Sequence, residues 1–254
     1  MKRYDEYKAT GIAWIPYIPC GWNMVKINDL FAERKEKVSD RDYPPLSVTK
    51  FGVLSQLPTA VKTQDGENRK RVCKGDFVIN SRSDRRGSSG ISPLDGSVSL
   101  INIVLMPRQG TSYYYHYLLR SHTFIEEFYH NGRGIVADLW TTRYSEMRNI
   151  LVPLPSYEEQ CSIVNYLNWQ KAIFNSIIPE KAITKGNLIA SSKSLLAQEI
   201  MLIDEYRTRL FSDVVTGQID VRDIEIPEYE FVEEDTNGES EENIESAEGE
   251  MDEE

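Results

Sequence analysis

Pro153-Leu154-Pro155-Ser156-Tyr157-Glu158-Glu159 divides the chain into two kinds of sequence. Neither proline suits a helix interior, because each lacks the N–H that a helix must donate. Ser156, followed three residues later by Glu159, has the spacing of a capping box, in which hydroxyl and carboxylate satisfy the free N–H groups of a first helical turn. A helix is therefore predicted to begin at Ser156.

Downstream, Ile163, Leu167, Gln170, Phe174 and Ile177 step by 4, 3, 4 and 3 before Pro179 stops or kinks the helix. A second run, Ile189, Lys193, Leu196, Ile200, Ile203, Arg207, Leu210 and Val214, keeps the same stepping and ends at Gly217, a natural helix cap. At 1.5 Å per residue this second helix reaches about 40 to 45 Å. That is longer than a small domain is wide, so its seam, Leu196, Ile200, Ile203, Leu210 and Val214, is predicted to meet another helix, within the chain or from a second copy.

Upstream, residues 1–155 are interrupted by Gly and Pro and hold short β-branched or aromatic runs, Arg71 to Asn80 and Val98 to Met106, which read as strands. One helix is predicted over Tyr113 to Tyr129, where Tyr114, Tyr117, Leu118, Phe124, Ile125 and Phe128 recur at helical spacing. The expected fold class is α+β: a mixed α/β domain over 1–155, a long helical, coiled-coil-like region over 156–222, and a disordered acidic tail over 223–254.

The formal charge of -11 has to be divided along the chain before it excludes anything. Residues 223–254 hold 16 of the 40 acidic residues and none of the 29 basic ones, so the body before them carries 24 acids and a surplus of five positive charges. That surplus lies before Ser156, with 22 basic against 16 acidic residues, where a polyanion would find it. The tail is rich in Glu, Ser, Asn and Gly and is expected to be disordered. Its charge reads either as solvating or as a competitor for the basic face. No run approaches eighteen apolar residues, no apolar signal core opens the chain, and Cys20, Cys73 and Cys161 are scattered, so a cytoplasmic protein without disulfides or a membrane span is expected.

Catalytic chemistry finds no foothold. His116, His122 and His130 are spaced by six and eight, which does not stack a ligand pair on one helix face, and no metal site or nucleophile with its base is recognisable. Gly87-Ser88-Ser89-Gly90 and Gly132-Arg133-Gly134 lack the endings of phosphate-cradling motifs, so each taken alone reads as a turn. Polarity placed in loops is the stronger signal. Asn80 to Ser89 follows a predicted strand and combines Arg82, Arg85 and Arg86 with Ser83, Ser88 and Ser89. Arginine offers a planar fork for guanine O6 and N7 or for a phosphate, and serine reaches phosphate oxygens. Arg133 and Arg143, in the stretches Asn131 to Gly134 and Trp140 to Arg143, form a second candidate. The other reading of both is a solvated basic loop.

These residues also carry a resemblance. Tyr7-Lys8-x-x-Gly11-Ile12-x-Trp14-Ile15-Pro16-x-Ile18-Pro19-x-x-Trp22 resembles the opening of a target recognition domain from the specificity subunit of type I restriction-modification systems. Four further stretches agree in order: Lys74 to Asn80 with Gly90-Ile91-Ser92; Tyr117 to Ser121; Pro153-Leu154-Pro155 with Glu158-Glu159-Gln160 and Ile163-Val164; and Glu205 to Leu210 through Ser212 to Arg222. The resemblance covers residues 1 to about 222, and its last two stretches bracket the long helical region.

It implies that the front domain reads one half of a bipartite site on double-stranded DNA and that the helical region docks methyltransferase subunits. Specificity subunits of this class usually carry two recognition domains and two helical regions. This chain has one of each, which implies a half-length form that pairs with a second copy or another half-subunit. The stretch from Pro179 to Gly186 also lengthens the helical region relative to the family. The chain is then expected to be non-catalytic and to carry no cofactor or metal. Adenine methylation and any ATP-driven cleavage by a restriction or motor subunit, with S-adenosylmethionine, Mg and ATP, would belong to partner chains. Two alternatives stay open: a decoy or remnant that binds methyltransferase subunits without reading DNA, and a methyltransferase or nuclease in its own right. The second lacks an Asn/Asp-Pro-Pro-Tyr/Phe motif and a Gly-rich cofactor loop.

Overall fold

The computed structural model describes residues 2–56, 66–108, 111–134, 140–177 and 195–229, with side chains of the last stretch from residue 198 onward. Its strands in chain order are β1 (Tyr7–Ala9), β2 (Tyr17–Pro19), β3 (Asn23–Lys26), β4 (Phe31–Glu33), β5 (Lys37–Val38), β6 (Leu46–Thr49), β7 (Gly52–Ser55), β8 (Arg69–Val72), β9 (Phe77–Asn80), β10 (Ser89–Ile91), β11 (Gly96–Val98), β12 (Asn102–Pro107) and β13 (Leu151–Leu154). The helices are α1 (Ile27–Leu30), α2 (Tyr114–Arg120), α3 (His122–His130), α4 (Tyr144–Met147), α5 (Tyr157–Ile177) and α6 (Leu195–Val215).

The largest sheet has the order β10-β9-β12-β4, all antiparallel. Successive side chains on a strand point to opposite faces, and β9 uses both. Phe77 and Ile79, with Ile103 and Leu105 of β12, enter the main core, while Val78 and Val104 face a smaller cluster with Leu46, Val53, Val72 and Val98. A continuous apolar run such as Phe77-Val78-Ile79 is what a strand covered on both faces needs.

Each strand expected from sequence is two strands joined by a turn. Between β8 and β9, Gly75 adopts φ +92°, and the buried Asp76 carboxylate accepts the Cys73 N–H at 2.8 Å and grips Arg34 through two bonds of 2.7 and 3.1 Å. The helix expected over Tyr113 to Tyr129 is likewise two, α2 and α3. Ser121 between them is extended (φ -66°, ψ 145°), its hydroxyl accepting the Phe124 N–H and donating to the Leu118 carbonyl. Serine's preference for an N-cap and its weak helix propensity both favour the break here. The break lets Tyr114, Tyr115, Leu118 and Leu119 of α2 and Phe124 and Phe128 of α3 enter one core.

Helix α5 starts where the capping serine predicts, the Glu159 N–H meeting the Ser156 hydroxyl at 3.3 Å. The Glu159 carboxylate does not close the box. It accepts from the Tyr4 hydroxyl at 2.6 Å and lies 4.0 Å from Arg222. Helices α5 and α6 run in opposite directions: Glu159 at one end of α5 lies beside Arg222 past the end of α6, and Phe174 near the other end meets Tyr206 and Phe211.

The hydrophobic core runs across residues 155 and 156. Ile163, Tyr166, Leu167 and Phe174 of α5 and Leu210, Val214 and Val215 of α6 belong to the same cluster as Ile18, Trp22, Tyr114 and Phe124. Of the expected seam, Leu210 and Val214 are thus buried within this chain, and Ile203 is partly buried against the same core. Ile200 is half-buried, and the Leu196 side chain lies outside the described residues. Among the described side chains of α6, Met201, Leu202 and Tyr206 are the large apolar ones that are exposed, with Ile177 at the end of α5. The described part of α6 is 21 residues, about 32 Å. The segment 178–194, with the expected break at Pro179, and residues 230–254 of the acidic tail lie outside the described residues.

Candidate nucleic-acid interface

The arginine-rich loop begins where β9 ends. Ser81 is buried and donates to the Ile101 carbonyl, Ser83–Arg85 form a single 3-10 turn, and Gly87 at φ +79° turns the chain back into β10. The neck of the loop is closed by the Asn80 N–H to the Ser88 carbonyl at 2.9 Å. Arg82, Arg85 and Arg86 are exposed. Arg82 lies 3.0 Å from Asp84, and Arg86 chelates Glu126 of α3 through 2.7 Å bonds. An exposed pair such as Arg82–Asp84 is worth about 0 to 1 kcal/mol, so a phosphate or base edge can replace the Asp84 carboxylate.

Ser88 and Ser89 fall on the other side of the expectation. Both are buried: β10 pairs Ser89 with Ile79, the Ser89 hydroxyl donating to the Gly87 carbonyl, and Ser88 just before the strand accepts the Asn80 N–H on its carbonyl at the neck of the loop. They are not surface donors. Ser83 is half-buried, its N–H bound to the Trp140 carbonyl at 3.0 Å.

That last bond belongs to a junction between the two loops selected separately from sequence. Thr141 exchanges main-chain bonds of 3.0 and 3.1 Å with Arg133 and also bridges Arg82, and the Thr142 N–H reaches the Ser81 carbonyl at 3.0 Å. Thr142 is fully buried, its hydroxyl donating to the Phe128 carbonyl at 2.9 Å. Gly132 is required beside it, since a Cβ there would stand 2.9 Å from the Tyr129 carbonyl oxygen. Arg133 projects with its side chain 85% exposed, 3.8 Å from Glu146, and Arg143 is exposed at the start of α4. Burial works against ionisation of Glu146, but the Ser145 hydroxyl, the Arg143 N–H and Arg133 together hold its carboxyl below the usual range. The result is five exposed arginines on two joined loops.

Two residues of this surface carried no signal in the sequence. Tyr129 is buried, and its hydroxyl donates to the Asn80 carbonyl at 2.8 Å with the Arg85 carbonyl at 3.3 Å, while its ring lies under the Arg86 guanidinium. Burial pushes its phenol upward, so it stays a donor. Glu126 is 40 positions from its partner Arg86, beyond the reach of any local pattern.

The three histidines gather no site. His116 is buried and stacked on Tyr113, and its Nε2 accepts from Arg120, which can only donate. Burial, then Arg120 and Lys171, depresses its pKa well below 6.5. Among the described residues no three His, Cys, Asp or Glu side chains come together as metal ligands, and no described helix is long and apolar enough to cross a membrane.

The front and last quoted motifs meet at the base of the helices. The Tyr7 hydroxyl donates to the Gly217 carbonyl at 3.1 Å, the Gln218 amide to the Tyr17 carbonyl at 3.2 Å, and the Asp220 N–H to the Lys2 carbonyl at 3.0 Å. Around them Arg222 grips Asp220 through bonds of 2.9 and 2.7 Å and lies over the Tyr4 ring.

The chain is similar in structure to S subunits of type I restriction-modification systems. The HsdS subunit from Thermoanaerobacter tengcongensis matches at 17% identity and a TM-score of 0.44, over 84% of this chain and 48% of that one. The S subunit from M. genitalium matches at 16% and 0.42, over 70% and 48%. A chain from a structure on complex assembly and conformational transition of the type I R-M system matches at 14% and 0.39, over 84% and 49%. The chain spans about half the length of each. No family model and no curated protein matches it.

Proposed function

We propose that this chain is the sequence-reading, non-catalytic subunit of a type I restriction-modification system, which holds one half of a bipartite DNA site and scaffolds methyltransferase subunits. The observation that carries the DNA reading is the junction at Thr141, which brings Arg82, Arg85 and Arg86 beside Arg133 and Arg143. Arginine on loops braced by a rigid sheet suits both jobs at a duplex, neutralising phosphates and forking onto a base edge. The sequence resemblance over residues 1 to about 222 supports the class of system. S-adenosylmethionine, Mg and ATP would act on partner subunits, and a restriction or motor subunit would supply cleavage.

Pairing with a second copy or another half-subunit forms part of the same reading, supported by the outward apolar side chains Met201, Leu202, Tyr206 and Ile177. Exposed apolar side chains on a helix pair are suited to packing against further helices.

The test is to map methylated adenines genome-wide with and without this gene, and again with Arg82, Arg85, Arg86, Arg133 and Arg143 replaced by Ala. A bipartite methylated motif that vanishes in both strains supports the proposal. A motif unchanged by the deletion overturns it. Retained binding to methyltransferase subunits with no sequence preference supports the decoy reading instead, and S-adenosylmethionine binding by the isolated chain supports the enzyme.

A further inference from the structure

Among the five exposed arginines, Arg86 is held on two sides. Its Nη1 donates to both carboxylate oxygens of Glu126 at 2.7 Å, and its guanidinium carbon stands 5.3 Å from the centroid of the Tyr129 ring. Glu126 and Tyr129 are three positions apart on α3 and therefore present neighbouring side chains. Tyr129 is anchored from below. Its ring is buried against Phe128, and its hydroxyl ties together the Asn80 and Arg85 carbonyls, the two ends of the turn that carries the arginines.

The way Glu126 binds is the informative detail. A guanidinium has two faces suited to a paired acceptor, and the side-on face is the Nε and Nη2 pair. Glu126 takes Nη1 alone, and neither Nε nor Nη2 of Arg86 bonds to any described residue. The carboxylate thus fixes the plane and leaves the fork open. An arginine normally surrenders much side-chain freedom on binding; here the freedom is surrendered on folding.

We infer that Glu126 and Tyr129 are positioning residues that aim the Nε–Nη2 fork of Arg86 at a paired acceptor on DNA, the O6 and N7 edge of a guanine. This rests on the reading that the joined loops face DNA. The same fork also fits two oxygens of a backbone phosphate, which carries no sequence information. A fork fixed on folding suits the base edge, whose two acceptors are held in one direction by the stacked duplex, whereas a backbone phosphate presents its oxygens to approach from many directions.

The experiment presents a randomised duplex pool to the full-length chain and sequences what is retained, for wild type, Arg86→Ala, Tyr129→Phe and Glu126→Gln. In the expected result Arg86→Ala loses preference at one G·C position by about 5- to 150-fold, the other positions standing. Tyr129→Phe and Glu126→Gln relax that same position. Glu126→Gln also binds unselected DNA more tightly, since a negative charge has left the face. Selectivity down with general affinity up is a pattern that mere loss of structure does not produce. Glu126 is exposed, so its variant keeps the fold even where Tyr129→Phe loses it.

If Arg86→Ala weakens every sequence alike and lowers the salt slope by about one, the fork holds a phosphate and the inference is overturned. If Arg86→Ala loses the position but Tyr129→Phe and Glu126→Gln retain it, Arg86 needs no positioning and the inference is again overturned. A wild type with no preferred sequence overturns the DNA reading itself, and this inference with it.

Discussion

The hydroxyl of Tyr7 donates to the carbonyl of Gly217 at 3.1 Å, joining residues 210 positions apart. Gly217 ends α6 in the left-handed region at φ +74°, and the space above its Cα is occupied by Pro19 and Trp22 of the front motif. The two ends of the body are therefore closed on one another, and the helices grow out of that closure.

Gly217→Ala meets two penalties there. Its Cβ would stand 2.5 Å from the Pro19 ring, and its backbone angle disfavours any side chain. A loss of about 2 to 4 kcal/mol is expected, read as a fall of roughly 4 to 16 °C in Tm. Tyr7→Phe, which removes only the hydrogen bond, should cost about 1 kcal/mol. A Gly217→Ala protein as stable as wild type would show that this closure is slack.

The seam divides into an inner and an outer part, which separates folding from assembly. Leu210→Asp places a charge in the core and should cost several kcal/mol, leaving the chain unfolded by circular dichroism. Met201→Asp with Leu202→Asp changes exposed positions, so the fold should survive with Tm shifted by little while assembly weakens. Light scattering decides the matter. An unaltered mass for the double variant, starting from a wild type larger than one chain, would place the contact elsewhere.

On DNA, Arg82→Ala, Arg85→Ala and Arg133→Ala are each expected to reduce affinity for all sequences and to lower the slope of log affinity against log salt by about one where a phosphate contact is lost. Titrations at several salt concentrations measure this. Ser88→Ala and Ser89→Ala should leave the slope untouched, because both hydroxyls are buried. A change of slope for either serine would contradict the placement of β10.

His116 predicts an acid sensitivity. Buried beside Arg120, it stays neutral in the folded chain well below pH 6.5, whereas the unfolded chain protonates near 6.5. With the folded value depressed, the unfolded state binds more protons, so stability falls as pH falls below about 6.5, by up to about 1.4 kcal/mol per pH unit from this group. His116→Gln should flatten the change in Tm between pH 7 and 5.5 relative to wild type. An equally steep change in the variant would assign the effect to other groups.

Local chemistry was legible residue by residue. Ser156 caps α5 because a hydroxyl needs only the next turn of backbone, and Gly217 ends α6 because a left-handed angle is a property of one residue. Arg82, Arg85, Arg86, Arg133 and Arg143 could be marked as exposed for the same reason: charge in a loop has no core to enter. Ser88 and Ser89 could not be placed correctly, since serine is at home inside and outside and only the closure onto β9, by Ser89 opposite Ile79 and the Ser88 carbonyl on the Asn80 N–H, decided their burial.

By itself, then, the sequence determined where α5 starts, where α6 stops and where the positive charge collects, all of which depend on neighbours within a turn or two, whereas the break at Ser121 and the turns that divide the expected strands did not show in it. The tertiary structure alone decided that Glu159 serves Tyr4 across 155 positions rather than its own cap, and that Glu126 and Tyr129 hold Arg86. It also decided that Leu210 and Val214 are spent inside the chain and that Thr141 joins two loops into one surface. A side chain's partner is set by how elements pack, and a helical seam looks the same in sequence whether the helix that fills it lies in the same chain or in another.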